Sequence, residues 1–234
     1  MASHHRSTSW PSVTHPNKIE IQEALHSISS LISTPSATIE GVCDGLRRLG
    51  DIYSSINEAI CLHSNQVHGK RLEEEMERSL QVLDLCNTMQ ESFTDLKMTI
   101  QELQMVLNRD LPVAHVKAQS YACLVKKAKH HLKKAVSKST SDDDARLVSL
   151  LTTARGITVS ALKSAVELLS KQMATCSASK WSLITKSIQK RRVSCEELQL
   201  QALELGIEGL ESSVENLFRN LIQTRVSLLN TLSS

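Results

Sequence analysis

Residues 198–230 read LQLQALELGIEGLESSVENLFRNLIQTRVSLLN. Within them Leu200, Leu203, Ile207, Leu210, Val214, Leu217, Leu221, Thr224 and Leu228 alternate steps of three and four without an error. That period keeps one stripe of an α-helix turned toward a partner, whereas a half-buried strand would need alternation at two. Leu198, Leu205, Phe218 and Ile222 widen the stripe, which predicts packing against several helices of one bundle rather than a two-stranded rod. A second run has the same character: Leu72, Met76, Leu80, Leu83, Cys86, Met89, Phe93, Leu96, Ile100, Leu103 and Leu107 are spaced about 3.5 residues apart on average.

Composition points the same way. The 234 residues are 41% apolar but only 3% aromatic, with seven glycines and four prolines. A β-sandwich or barrel draws on aromatics, β-branched runs and frequent turn residues, so this balance favours helices. Pro16, Pro35 and Pro112 fall where apolar patterns stop or restart. A first helix is expected from Asn17 to Ile32 and a second from Ser36, as cap, to about Leu62, followed by the polar turn HSNQVHG. Asn108-Arg109-Asp110 ends the third helix, and Pro112 opens a fourth that reaches about Lys138. The STSDDD segment precedes a fifth, with a seam at Leu147, Leu151, Ala154, Ile157, Ala161, Ala165, Leu168 and Gln172. After a weak break at Thr175 to Ser179 the helical pattern runs to the carboxy terminus. The expected fold is therefore all-α: an elongated antiparallel bundle of about six helices, several long and coiled-coil-like. Residues 17–234 form its single domain, behind a disordered tail at 1–16.

Several segments resemble a plant-specific family of domains of unknown function that includes the BYPASS-like proteins. They are Ser79-Leu-Gln-Val-Leu-Asp-Leu-Cys86, Ile100-Gln-Glu-Leu-Gln104, Tyr121 with the lysines at 126 to 134, Ile157-Thr-Val-Ser160 and Thr224-Arg-Val-Ser-Leu-Leu-Asn230. The opening Arg6-Ser-Thr-Ser-Trp-Pro-Ser12 before His15-Pro16 also fits, although His4 and His5 stand where the family usually has an aromatic residue and a valine. The resemblance implies an intracellular helical protein linked to root and shoot development, with no established enzyme activity.

The residues themselves carry little catalytic chemistry. No phosphate-cradling glycine loop, H-E-x-x-H or G-x-S-x-G occurs. Neighbouring His130 and His131 point apart on a helix, and His63 and His68 sit in a turn, so no metal, cofactor or catalytic residue is assigned. Six cysteines without a C-x-x-C read as thiols of a reducing compartment, with the cytoplasm first. The acid-free tail keeps a plastid destination as an alternative.

Charge is more informative. The net +2 conceals seven lysines and no acid between Val113 and Lys138, among them Lys126, Lys127, Lys129, Lys133 and Lys134. This face suits an anionic membrane surface. Nucleic acid is disfavoured, since arginines and aromatics hardly interleave. Alternatively, it pairs internally with Glu196, Glu197, Glu204, Glu208, Glu211 and Glu215 of the last helix. In the tail, Arg6, Ser7, Ser9 and Pro11 match R-S-x-S-x-P, a docking pattern for 14-3-3 proteins once Ser9 is phosphorylated. Arg191-Arg192-Val193-Ser194 is a weaker kinase pattern, set in a helix. The functional expectation is a non-enzymatic adaptor or scaffold that binds other proteins. The alternative is a peripheral membrane protein using the 113–138 face, and the heptad seams leave a homo-oligomer open.

Overall fold

The computed structural model of the chain describes residues 18–62, 70–107, 109–134, 146–178 and 186–233, with side chains described for 19–61, 73–107, 109–134, 147–174 and 197–233. They form helices α1 (Lys18–Ser33), α2 (Ile39–Leu62), α3 (Lys70–Val106), α4 (Leu111–Lys134), α5 (Arg146–Ala178) and α6 (Lys186–Ser233), and no strand occurs among the described residues. The expected tail at 1–16, the turn HSNQVHG and the STSDDD segment lie outside them.

Local hydrogen bonds explain where the helices begin and end. Thr38, rather than Ser36, caps α2: its Oγ1 accepts from the Gly41 backbone N–H at 3.1 Å. Asp110 caps α4 by accepting from the Val113 N–H at 3.1 Å, so Pro112 sits in the first turn, where its missing donor costs nothing. α3 stops because the N–H groups of Arg109 and Asp110 both turn back onto the Val106 carbonyl.

Cross-helix contacts then set direction. α1 and α2 are antiparallel, with Arg48 donating to Ser27 at 3.3 Å and Gly45 lying against Ile28 and Ile32. α3 and α6 are antiparallel too, since Lys97 and Thr94 meet Glu211 while Gln101 and Gln104 meet Glu204. The most extensive contact joins α2 and α6, which run parallel. Ile39 faces Gly206, Cys43 faces Gly209, and Thr224 donates to the Tyr53 carbonyl at 3.3 Å. A β-carbon at Gly206 or Gly209 would stand 3.2 Å from Ile39 or Cys43, so the bare backbone at these two positions is what lets α6 approach α2.

One apolar core runs through all six helices. Every residue of the 200–228 heptad is buried, as are Ile21, Leu25, Ile28 and Ile32 of α1 and Ile39 through Ile60 at the expected positions of α2. Two expectations need correction. Leu198, Leu205 and Ile222 do not widen the α6 stripe but are exposed; only Phe218 packs against the core. On α5 the expected seam fails at its end, where Leu168 is half-buried and Gln172 exposed, while Leu162, Val166, Leu169 and Met173 are buried. A 3.5-residue seam drifts about 20° per heptad on a straight helix, so the buried face has rotated away by residue 168. α5 also touches every other helix of the bundle, which demands a broad buried face rather than a seam.

Candidate interaction surfaces and a buried polar network

α4 carries the basic face. Its core side is Ala114, Tyr121, Val125, Ala128 and Leu132, which places Lys126, Lys127, Lys133 and Lys134 on the solvent side and Lys129 half-buried at the margin. Lys117 pairs with Glu102 of α3 at 2.7 Å. None of the five lysines from 126 to 134 makes an ion pair with a described residue.

Among the described residues no ion pair joins the α4 lysines to the α6 acids: α4 meets α3 through Glu102, whereas α6 meets it through Lys97, Gln101 and Gln104. The α6 acids turn to α3 instead. Glu211 accepts from Thr94 at 2.8 Å and from Lys97, and Glu204 accepts from Gln101 at 2.7 Å and Gln104 at 2.9 Å. Glu215 pairs with Arg219 on its own helix. The hydrogen bond to Glu211, helped by the charges of Glu208 and Glu204, holds the Lys97 ammonium above its ordinary pKa.

Residues on which the other expectations rest fall outside this description. Arg6, Ser7, Ser9 and Pro11 are not among the described residues, and neither is Lys138. Ser194 lies within α6, but its side chain is not described. The rings of His130 and His131 stand edge to face at 6.4 Å, and among the described residues no three His, Cys, Asp or Glu side chains converge as metal ligands do. No described helix is long and apolar enough to cross a membrane.

Sequence reasoning missed a buried polar network. Glu75 is 2% exposed, near the start of α3. Its carboxylate accepts from Arg155 at 2.6 Å, Thr152 at 3.2 Å and Arg78 at 2.9 Å, which ties α3 to α5. Arg225 of α6 donates to the Met76 carbonyl and to Ser79, and the Tyr53 hydroxyl lies 3.4 Å from Thr158. Between Tyr53, Glu75, Ser79, Arg155 and Thr224 lies a cavity of about 20 Å³, room for a single water. Glu75 could have been found by stepping one heptad back from Val82, which puts it on the buried phase of α3.

Among the described cysteines, Cys43 and Cys86 are buried, whereas Cys61 and Cys123 are exposed. Burial pushes the Cys43 thiol up, with Ser213 partly opposing, and pushes Cys86 up to about 12. The Tyr53 hydroxyl is also raised, chiefly by burial and against its hydrogen bond to Thr158. Iodoacetamide at neutral pH is therefore expected to label Cys61 and Cys123 and to spare Cys86 until the chain unfolds, read by peptide mass spectrometry. Labelling of native Cys86 at the rate of Cys123 would contradict its burial. The same thiol links stability to pH. An unfolded Cys86 loses its proton near 9.0 and the folded one near 12, so its contribution is intact below pH 9 and is lost as pH rises toward 12.

Comparison with curated proteins and with solved structures finds no match. A family model described as Protein BPS1 matches residues 45–231, from the second turn of α2 to the last turn of α6. That span takes in the α4 lysines and the buried network, and on it the chain belongs to the BPS1 family, consistent with the BYPASS-like resemblance of its motifs.

Proposed function

We propose that this BPS1-family chain is a non-enzymatic adaptor that works by binding other proteins. One observation carries the reading. Met98 and Met105, seven apart on α3, and Leu198 and Leu205, seven apart on α6, are exposed on two helices that lie side by side. Leu205 is 68% exposed and Met105 64%, whereas the residues at heptad spacing on the other side of both helices are buried. An apolar row of this kind suits the apolar face of a partner's helix, anchored at intervals of three, four and seven. The phosphorylatable tail adds a regulated handle: with Ser9 phosphorylated, Arg6, Ser7 and Pro11 complete a site for 14-3-3 proteins.

Affinity purification with mass spectrometry tests both parts. Met105→Glu with Leu205→Glu is expected to release partners of the bundle while leaving thermal stability near wild type, because both residues are exposed. Ser9→Ala is expected to release 14-3-3 proteins alone. Identical partner lists for wild type and both variants would overturn the adaptor reading. A second reading, a peripheral membrane protein, is favoured by the exposed lysines of α4 and is taken further below.

A further inference from the structure

α4 is an edge helix, packed on α3 and less extensively on α5. The strip opposite its core side runs through Val116, Ser120, Cys123, Lys127 and Lys134, all exposed, with Val113 at its margin. Lys126 and Lys133 flank it, also exposed. From Leu111 to Lys134 the helix holds no acid and no arginine. Its outer face is thus apolar in the first half and cationic in the second.

The geometry points to docking of α4 flat on an anionic phospholipid bilayer. Three features select that occupant. The lysines from 126 to 134 make no ion pair with described residues, and the positive charge they gather on one helix face is complementary to an anionic surface. Lysine, a compact charge on a flexible stem, suits a diffuse layer of lipid phosphates and carboxylates; a sequence-reading nucleic-acid face would draw on arginine forks and stacked aromatics. Valines on the same strip as the lysines fit a surface that is charged outside and apolar a few ångströms below. The docking adds a membrane address to the adaptor reading without depending on it.

Vesicle flotation of the purified full chain is the test, since it needs no protein partner and its failure leaves partner capture untouched. Vesicles of phosphatidylcholine with about one-third phosphatidylserine are expected to bind the chain, and phosphatidylcholine alone is not. Binding should weaken steeply as salt rises from about 0.05 M to 0.5 M. Each lysine near such a surface is worth roughly fivefold in affinity, so Lys126→Gln, Lys127→Gln, Lys133→Gln and Lys134→Gln together should cost about a hundredfold or more. Val113→Ser with Val116→Ser should cost severalfold on vesicles and nothing on heparin, which separates a bilayer from a soluble polyanion. These positions are exposed, so the variants should melt with wild type. Equal binding to neutral vesicles, no binding to either, a quadruple variant that floats like wild type, or capture by RNA in place of vesicles would each overturn the proposal.

Discussion

Leu210→Asp should abolish the folded state or lower its melting temperature by more than about 10 °C, while Lys133→Gln should leave the melt within about 2 °C of wild type. Leu210 is fully buried at the centre of the α6 heptad, on the helix that contacts both α2 and α3 most extensively. Aspartate forfeits about 2–3 kcal/mol of apolar burial there. It also places a carboxylate at a position fully withdrawn from water. Together these exceed about 4 kcal/mol, a large share of the roughly 5–15 kcal/mol that holds a domain together. Lys133 is exposed and pairs with no described residue, so its charge adds little to the packing of the bundle. Circular dichroism melts at matched concentration decide the matter, and near-equal curves for the two variants would refute the assignment of the α6 core.

Much of this architecture could be read from periodicity because leucine, isoleucine and valine make up most of the buried apolar residues. A repeat of three and four is informative when the residues carrying it have no reason to be elsewhere. Periodicity failed where one stripe had to serve several neighbours. α5 is surrounded, so its buried face is broader than a seam and runs through Leu162, Val166 and Leu169, off the expected line. Leu198 and Leu205 misled for the opposite reason. They are as apolar as core residues, yet they face away from every other helix described, and a sequence does not distinguish an apolar residue meant for the core from one meant for a partner. Charge patterning showed the lysine face but not its surroundings. Whether α4 would lie against the α6 glutamates depended on the order of helices around α3, which no local pattern encodes. The cap of α2 was displaced by two residues because Ser36 and Thr38 are equally good caps by type, and only the path of the chain after Pro35 selects between them.

Glu75→Ala should cost about 3–5 kcal/mol, more than removing any exposed charge on the molecule. Three glutamates stand in a row at 73, 74 and 75, and the first two are exposed, as a charge run on a helix ordinarily is. The third is withdrawn from water and held by two guanidinium groups and a hydroxyl. Deleting its carboxylate leaves Arg155, 17% exposed, with its charge unmatched beside Tyr53 and Leu151. That unmatched charge, more than the loss of the pair itself, dominates the expected cost. Arg155→Ala should be costly for the mirror-image reason, since Glu75 then keeps the Thr152 hydroxyl and a single cation, Arg78, which is itself shared with Glu74. The double replacement Glu75→Leu with Arg155→Met removes both charges and refills the space, and it should recover most of the loss or exceed wild type. Urea denaturation of Glu75→Leu, Arg155→Met and the double variant closes the cycle, with a coupling of about 2–3 kcal/mol expected. A single Glu75→Ala variant within 1 kcal/mol of wild type would mean that the network is not closed in solution. If the cycle behaves as expected, the ion pair's value lies in fixing α3 against α5. That register determines where α4, the next helix along, presents its lysines.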